Sequence, residues 1–205
     1  MNIHRSGRLP TFAATKNTVK KRLVLLASGN GSNVSRLIDH FDGSKQVEVS
    51  HVISNRTSAG VLKLAEKADV PATVISGEGV RSGQLLSFLS RLQPDLIVLA
   101  GYLLLIPAEV VEKYGDKMIN LHPSLLPAYG GKGMYGSRVL QAVLDNKEEE
   151  TGITIHCVNA AFDEGEIIAQ FRCEVKAEDT LESLQKRIQS LEHRHLPEVV
   201  EKLLK

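Results

Sequence analysis

Tryptophan is absent from this 205-residue chain, and aromatic residues make up only 4% of it. A platform for stacking bases needs several exposed rings, so a single-strand nucleic-acid binder is disfavoured. Neither sign of charge is in excess: 25 Lys and Arg stand against 24 Asp and Glu. The basic footprint of a general nucleic-acid binder is therefore missing as well. Cysteine is scarce. Cys157 and Cys173 form neither a metal-ligand spacing nor a disulfide framework, and read as buried free thiols of a reducing, cytoplasmic compartment. No apolar run has the length needed to span a bilayer. Acidic residues are missing from the first 22 positions, where Arg5, Arg8, Lys16, Lys20, Lys21 and Arg22 occur. Residues 1–20 are expected to be a basic, disordered extension, with a targeting remnant or an upstream start codon as alternatives. Residues 21–205 have the size of a single domain.

From residue 22 onward, short apolar runs alternate with helical periodicity. Residues 22–27, 47–54, 72–75, 95–100 and 117–121 read as strands, and 32–41, 59–68 and 80–92 as helices, the last ended by Pro94. Continuous apolar strands alternating with helices predict an α/β fold: an open, mostly parallel twisted sheet with helices on both faces. Residues 123–136 are rich in Gly and Pro and read as a long surface loop before a helix over 136–146. Residues 152–159 and 167–175 are expected as an antiparallel strand addition, joined by a turn at Asp163-Glu164-Gly165. A long helix over 180–204 follows. Thr180 caps it, but Ser183 replaces the Glu of a full capping box, and Pro197 is expected to kink or divide it.

Two segments carry chemistry. The first strand runs into Ser28-Gly29-Asn30-Gly31-Ser32-Asn33, which opens a helix. Backbone N–H groups at such a turn bind anions. The nucleoside-triphosphate loop is ruled out by the missing Gly-Lys-Ser/Thr ending. A dinucleotide is disfavoured by Val34 and Asn55, which stand where a third Gly and an acid are wanted. A mononucleotide or sugar phosphate fits better, with a plain strand-to-helix turn as the alternative. The second segment is Asn120-Leu121-His122-Pro123-Ser124-Leu125-Leu126-Pro127, at the carboxyl end of a strand. Residues two apart on an extended chain point the same way, and Pro123 favours extended geometry at His122. An amide donor beside an imidazole suits acyl transfer: one stabilises an oxyanion and the other moves a proton. The alternative is a satisfied core histidine at a strand end. Spacing alone does not bring Asp163 to His122; where they meet, the carboxylate favours the imidazolium.

In this order, Gly29 to Asn33, the octapeptide 120–127, Gly152-Ile153-Thr154-Ile155-His156, Asp163-Glu164-Gly165 and Leu191-Glu192-His193 resemble the glycinamide ribonucleotide formyltransferase family, from about Lys21 to the C-terminus. The resemblance implies a Rossmann-like formyltransferase fold. It implies transfer of a formyl group from 10-formyltetrahydrofolate, a co-substrate, to the amine of 5'-phosphoribosylglycinamide in purine biosynthesis, with no metal. By the same resemblance, Gly31, Ser32, Asn33 and Glu192 bind the phosphoribosyl substrate. Asn120 holds the formyl oxygen, His122 donates the proton, and Asp163 raises its pKa. Tyr102, Leu103, Leu104, Leu105 and Ile106, with Asn120, Asn159, Ala160, Ala161, Phe162 and Asp163, line the folate pocket. The chain departs from relatives in lacking an Arg over 102–105, in offering only Arg81 for another, and in carrying Ser137, Arg138 and Val139 where relatives have a His. The expected partners are small molecules, without nucleic acid or membrane, acting on a monomer or homodimer.

Other features read as plain structure. His51 and His156 lie in strands. His193 and His195 lie on a helix at a spacing that does not face them together. Lys132 is a phosphate ligand or a solvated loop residue, and residues 103–106 are core or pocket wall. The run 147–150 reads as an exposed helix end. The functional rivals are a formyltetrahydrofolate hydrolase, which has no use for a sugar-phosphate cradle, and a non-catalytic nucleotide- or folate-binding protein, which has no use for a proton carrier.

Overall fold

The computed structural model describes residues 19–205, so nearly all of the basic segment 1–20 lies outside the described residues. Its strands are β1 (Lys21–Leu26), β2 (Val47–Ser54), β3 (Ala72–Val74), β4 (Leu96–Leu99), β5 (Met118–His122), β6 (Glu150–Cys157) and β7 (Ile167–Glu174). Its helices are α1 (Ser32–Phe41), α2 (Gly60–Lys67), α3 (Gly77–Arg81), α4 (Gln84–Leu92), α5 (Ala108–Tyr114), α6 (Ser137–Asp145) and α7 (Leu181–Leu203). The strands form one sheet in the order β3-β2-β1-β4-β5-β6-β7. Pairing is parallel from β3 through to β5, then antiparallel at β5–β6 and β6–β7. The α/β sheet and its antiparallel addition are as the sequence predicts.

Alternation along β1 builds both faces of the core. Leu23 and Leu25 point to one face, where Val34, Leu37 and Phe41 of α1, Leu140 and Val143 of α6, and Leu184 and Ile188 of α7 cover them. Val24 and Leu26 point to the other, under Val80 of α3, Leu85 and Leu89 of α4 and Val110 of α5. All four β1 side chains are fully buried. That explains why β1 reads as a continuous apolar run: a central parallel strand has no solvent face.

Four expectations need correction. The helix expected over 80–92 is two helices, because Ser82 and Gly83 interrupt it and Gly83 takes φ +82°. The long C-terminal helix is not divided at Pro197; it runs unbroken over Leu181–Leu203. Pro197 withholds one backbone donor, but Leu196, Pro197, Val199 and Val200 are all buried, and that packing keeps the helix continuous. The capping box is complete. Thr180 Oγ1 accepts from the Ser183 N–H (3.2 Å), and Ser183 Oγ accepts from the Thr180 N–H (2.9 Å), so a hydroxyl does the work assigned to Glu. Likewise, the run 147–150 is not a helix end but the turn leading into β6.

No helix among the described residues is long and apolar enough to cross a membrane. Leu25→Ala is expected to lower the unfolding free energy by about 2–5 kcal/mol, measured by urea denaturation, because the cavity opens in a fully buried central strand.

Candidate active site

The order of strands reverses between β1 and β4, and the loops leaving their carboxyl ends diverge there, the place where open α/β sheets bind ligands. Ser28 ties these loops together. Its N–H donates to the Gly101 carbonyl (3.0 Å), its hydroxyl donates to Asn55 Oδ1 (2.6 Å), and the same oxygen accepts from the Leu103 N–H (2.9 Å). The loops after β1, β2 and β4 thus share one buried hydroxyl. A cleft of about 670 Å³ opens above it.

On one wall stands the glycine loop. Gly31 takes φ +81°, and a Cβ there would come within 2.5 Å of Val61 Cγ2, so both backbone and packing require glycine. Asn33 in the first turn of α1 donates from Nδ2 to Glu192 Oε2 on α7 (2.8 Å). Burial pushes the Glu192 carboxyl above its ordinary value, and the Asn33 hydrogen bond acts against that. Gly31, Ser32, Asn33 and Glu192 all line the cleft, so the four residues expected around a phosphoribosyl group are brought together.

Deeper in the cleft lies a polar cluster built from β5, β6 and the turn before β7. Asn120 and His122 project from the same side of β5, as their spacing requires. Asp163 returns over them. It sits at φ +59°, a conformation Asp tolerates, and Gly165 behind it leaves no room for a Cβ against the Cys157 carbonyl. Asp163 Oδ1 accepts from Asn120 Nδ2 (3.2 Å) and lies 3.6 Å from His156 Nε2. Oδ2 accepts from the Gly131 N–H (2.9 Å) and lies 3.5 Å from His122 Nδ1. Burial alone would raise this carboxyl. Against burial act the His156 ring, His122 whenever it is protonated, and the Gly131 N–H, and the carboxyl lies below the ordinary carboxylate range.

The hydrogen bonds fix the tautomers. His122 Nε2 faces the Tyr129 carbonyl at 2.8 Å, an acceptor only, so Nε2 carries the proton and Nδ1 is left to gain or lose one. His156 Nδ1 donates to the Cys157 carbonyl (2.8 Å), which leaves its Nε2 to accept from Asn120 Nδ2 (3.0 Å). Both amide hydrogens of Asn120 are therefore engaged within the cluster. Burial pushes the His122 imidazole below its ordinary value; Asp163 and the Tyr129 carbonyl raise it, and His156 lowers it further. The expected upward shift from Asp163 is present but loses to desolvation.

The loop after His122 is held from beneath. Thr154 Oγ1, fully buried on β6, accepts from the Leu126 N–H (3.0 Å) and donates to the Ser124 carbonyl (2.7 Å), and Gln170 Nε2 donates to the Leu126 carbonyl (2.9 Å). The Leu126–Pro127 peptide is cis.

Residues 102–106 prove to be both core and wall: Tyr102 and Ile106 are buried, Leu105 is 45% exposed, and all five border the cleft. Asn159, Ala161, Phe162 and Asp163 border it too, but Ala160 does not. It faces solvent at the tip of the turn, and its place in the folate pocket is not supported. Sequence reading missed His156, which it took as structural. Register reveals it: His156 pairs across the ladder with Asn120, a neighbour invisible before the strand pairing is known. It also left Arg56 and Arg138 unassigned. Both border the cleft with Lys132, whereas Arg81 lies outside the lining. Among the described residues no cluster of three or more His, Cys, Asp or Glu is arranged to hold a metal ion. With the carboxylate removed by Asp163→Asn, the His122 ring should titrate at a still lower pH than in the wild-type protein; ¹H–¹⁵N NMR of the imidazoles measures this, and an unmoved His122 curve would contradict the coupling.

The formyl transferase family profile matches residues 21–200. A chloroplastic phosphoribosylglycinamide formyltransferase of Arabidopsis thaliana is 38% identical over 188 residues, covering 88% of this chain and 64% of that protein. The chain thus spans just under two thirds of the plant protein's length. A phosphoribosylglycinamide formyltransferase of Bacillus subtilis is 33% identical, covering 90% of this chain and 95% of that one. The solved structure of glycinamide ribonucleotide transformylase 1 from Geobacillus kaustophilus superposes with a TM-score of 0.83 at 33% identity, covering 91% of this chain and 100% of that one. Fold, cleft and the extent of these matches agree: the chain belongs to the formyl transferase family.

Proposed function

We propose that the protein passes the formyl group of 10-formyltetrahydrofolate to the amine of 5'-phosphoribosylglycinamide, a step of purine biosynthesis, and that residues 21–205 act as one catalytic domain. The observation that carries this reading is a single cleft with two different ends. A glycine loop opens α1 at one end, and a buried Asn–His–Asp cluster stands at the other. The similar proteins from Arabidopsis thaliana and Bacillus subtilis bear the name of that activity.

Each residue takes a role that its surroundings support. The α1 amides at Ser32 and Asn33, with Glu192, suit a phosphoribosyl group. Residues 102–106 and 159–163, Ala160 excepted, offer the apolar and polar surface a folate ring needs. His122, held neutral by burial, takes the proton that the attacking amine must lose, on Nδ1. The Asp163 carboxylate 3.5 Å away stabilises the imidazolium so formed, which then returns the proton to the departing folate nitrogen. The amine loses one proton and the leaving nitrogen gains one, so the step balances. Asn120 is the donor for the oxygen that becomes negative. One of its hydrogens must leave Asp163 or His156 to do so, and a donor of this kind contributes about 3–4 kcal/mol to barrier lowering. Asn120, His122, His156 and Asp163 all come from one chain, so the chemistry needs no second copy. Two free thiols, Cys157 and Cys173, suit the reducing cytoplasm, where we place the reaction.

Formyl transfer to 5'-phosphoribosylglycinamide, run beside a control without amine, tests the reading. Release of free formate should be slow until the amine is added. Equal formate release with and without it would replace the transferase by a hydrolase. His122→Ala should cut turnover by about two to four orders of magnitude while substrate affinity stays within several-fold. Unchanged turnover would remove His122 from the mechanism.

A further inference from the structure

Tyr129, Gly130 and Gly131, one residue beyond the cis peptide, grip two members of the catalytic cluster at once. The Tyr129 carbonyl accepts from His122 Nε2 (2.8 Å), and two residues later the Gly131 N–H donates to Asp163 Oδ2 (2.9 Å). Between them Gly130 packs so closely that an added Cβ would lie 2.6 Å from Leu126 Cδ2 and 3.3 Å from the Asp163 Cβ. One short piece of backbone therefore decides which His122 nitrogen holds the proton and how the Asp163 carboxylate is turned.

That backbone is not in a relaxed conformation. Tyr129 takes φ +57°, in the left-handed region that a side chain with a Cβ rarely occupies, and Gly131 takes φ +95°. Such a conformation persists only where the surroundings hold it. Ser124 Oγ donates to the neighbouring Ala128 carbonyl (2.6 Å) and the Tyr129 ring packs against the core, while its phenol is tethered outside the cleft. Tyr129 Oη donates to Glu148 Oε1 (2.6 Å) and accepts from Asn146 Nδ2 (2.8 Å). Asn146 closes the C-terminal end of α6, and the Glu148 N–H is itself tied to the Val143 carbonyl in α6 (3.2 Å). The strap thus ends on a helix whose Val139, Leu140 and Val143 are buried in the core.

We propose that Tyr129 is a positioning residue: its phenol, strapped to Asn146 and Glu148 at the end of α6, holds the Tyr129–Gly131 turn that sets the tautomer of His122 and the orientation of the Asp163 carboxylate. Tyr129 touches no reacting atom. It acts through its carbonyl, and the phenol is the lever that keeps the carbonyl in place. The titratable groups that face His122 are Asp163 and His156, and the turn fixes the first directly. The kinetic part of the proposal rests on the reading of His122 as proton carrier; the tautomer part does not.

Tyr129→Phe keeps the ring and the carbonyl and removes only the strap. In ¹H–¹⁵N NMR of the free protein, His122 should lose its fixed Nε2–H tautomer and titrate at a lower pH than in the wild type. In the formyl-transfer assay, kcat should fall about ten- to a hundredfold, the cost of a misplaced catalytic group, while both KM values change less than threefold. Glu148→Ala should reproduce these effects, and Glu148→Gln, which keeps an acceptor for the phenol, should restore most of the loss. A wild-type His122 tautomer and titration in both Tyr129→Phe and Glu148→Ala would overturn the proposal, even if their thermal stability falls. A tautomer change in a protein that transfers no formyl group would uphold the positioning role and overturn the proposed activity instead.

Discussion

The buried carboxylate of Asp163 is the group around which the site is organised. Removing a charge from water is costly unless hydrogen bonds and opposite charge replace the lost hydration. Here the hydrogen bonds come from two separate parts of the chain, Asn120 on β5 and the Gly131 amide in the loop between β5 and α6, with the His122 and His156 rings 3.5 and 3.6 Å away. Asn120 and Gly131 satisfy Asp163 at rest, and His122 does so once it is protonated. The carboxylate stays ionised despite its burial, while burial keeps the neighbouring His122 imidazole neutral. Both pKa values are lowered, which leaves the carboxyl charged and the imidazole neutral, so that one holds charge while the other can take up a proton.

The remaining architecture brings these parts to one place. The parallel half of the sheet delivers the glycine turn after β1 to the strand reversal. The antiparallel half delivers Asn120, His122 and His156 as neighbours on adjacent strands. Ser28 on one side and Thr154 on the other are small, buried hydroxyls that tie loops together. They explain why irregular segments keep a defined shape without secondary structure of their own. A loop whose backbone groups are satisfied by buried side chains has little freedom left to lose.

The wall over 102–106 is apolar, with no arginine, while Arg56, Lys132 and Arg138 border the cleft from other loops. Arg138 lies over the Tyr135 ring, 4.9 Å from its centroid, and so reaches the rim from α6 rather than from the segment after β4. The cationic groups that border the cleft thus come from the loops around β2 and α6. Gly130 allows the second of these loops to approach the cluster closely, and Gly131, Gly133 and Gly136 supply its positive φ angles.

The sequence by itself determined the layers. Strand and helix periods and the uninterrupted apolar strands required a parallel sheet buried on both faces, and the two-residue spacing of Asn120 and His122 required them to point together. These are local consequences of backbone geometry, and nothing elsewhere in the chain can change them. What only the tertiary structure decided was every contact between distant segments. The continuity of α7 through Pro197 depends on burial, which no local propensity reports. The membership of His156 depends on strand register, the exclusion of Ala160 on the path of a turn, and the resting charge of His122 on a contest between desolvation and Asp163. Such outcomes are set by which groups lose water and which gain partners when remote parts of the chain meet, and that information does not reside in any single stretch of residues.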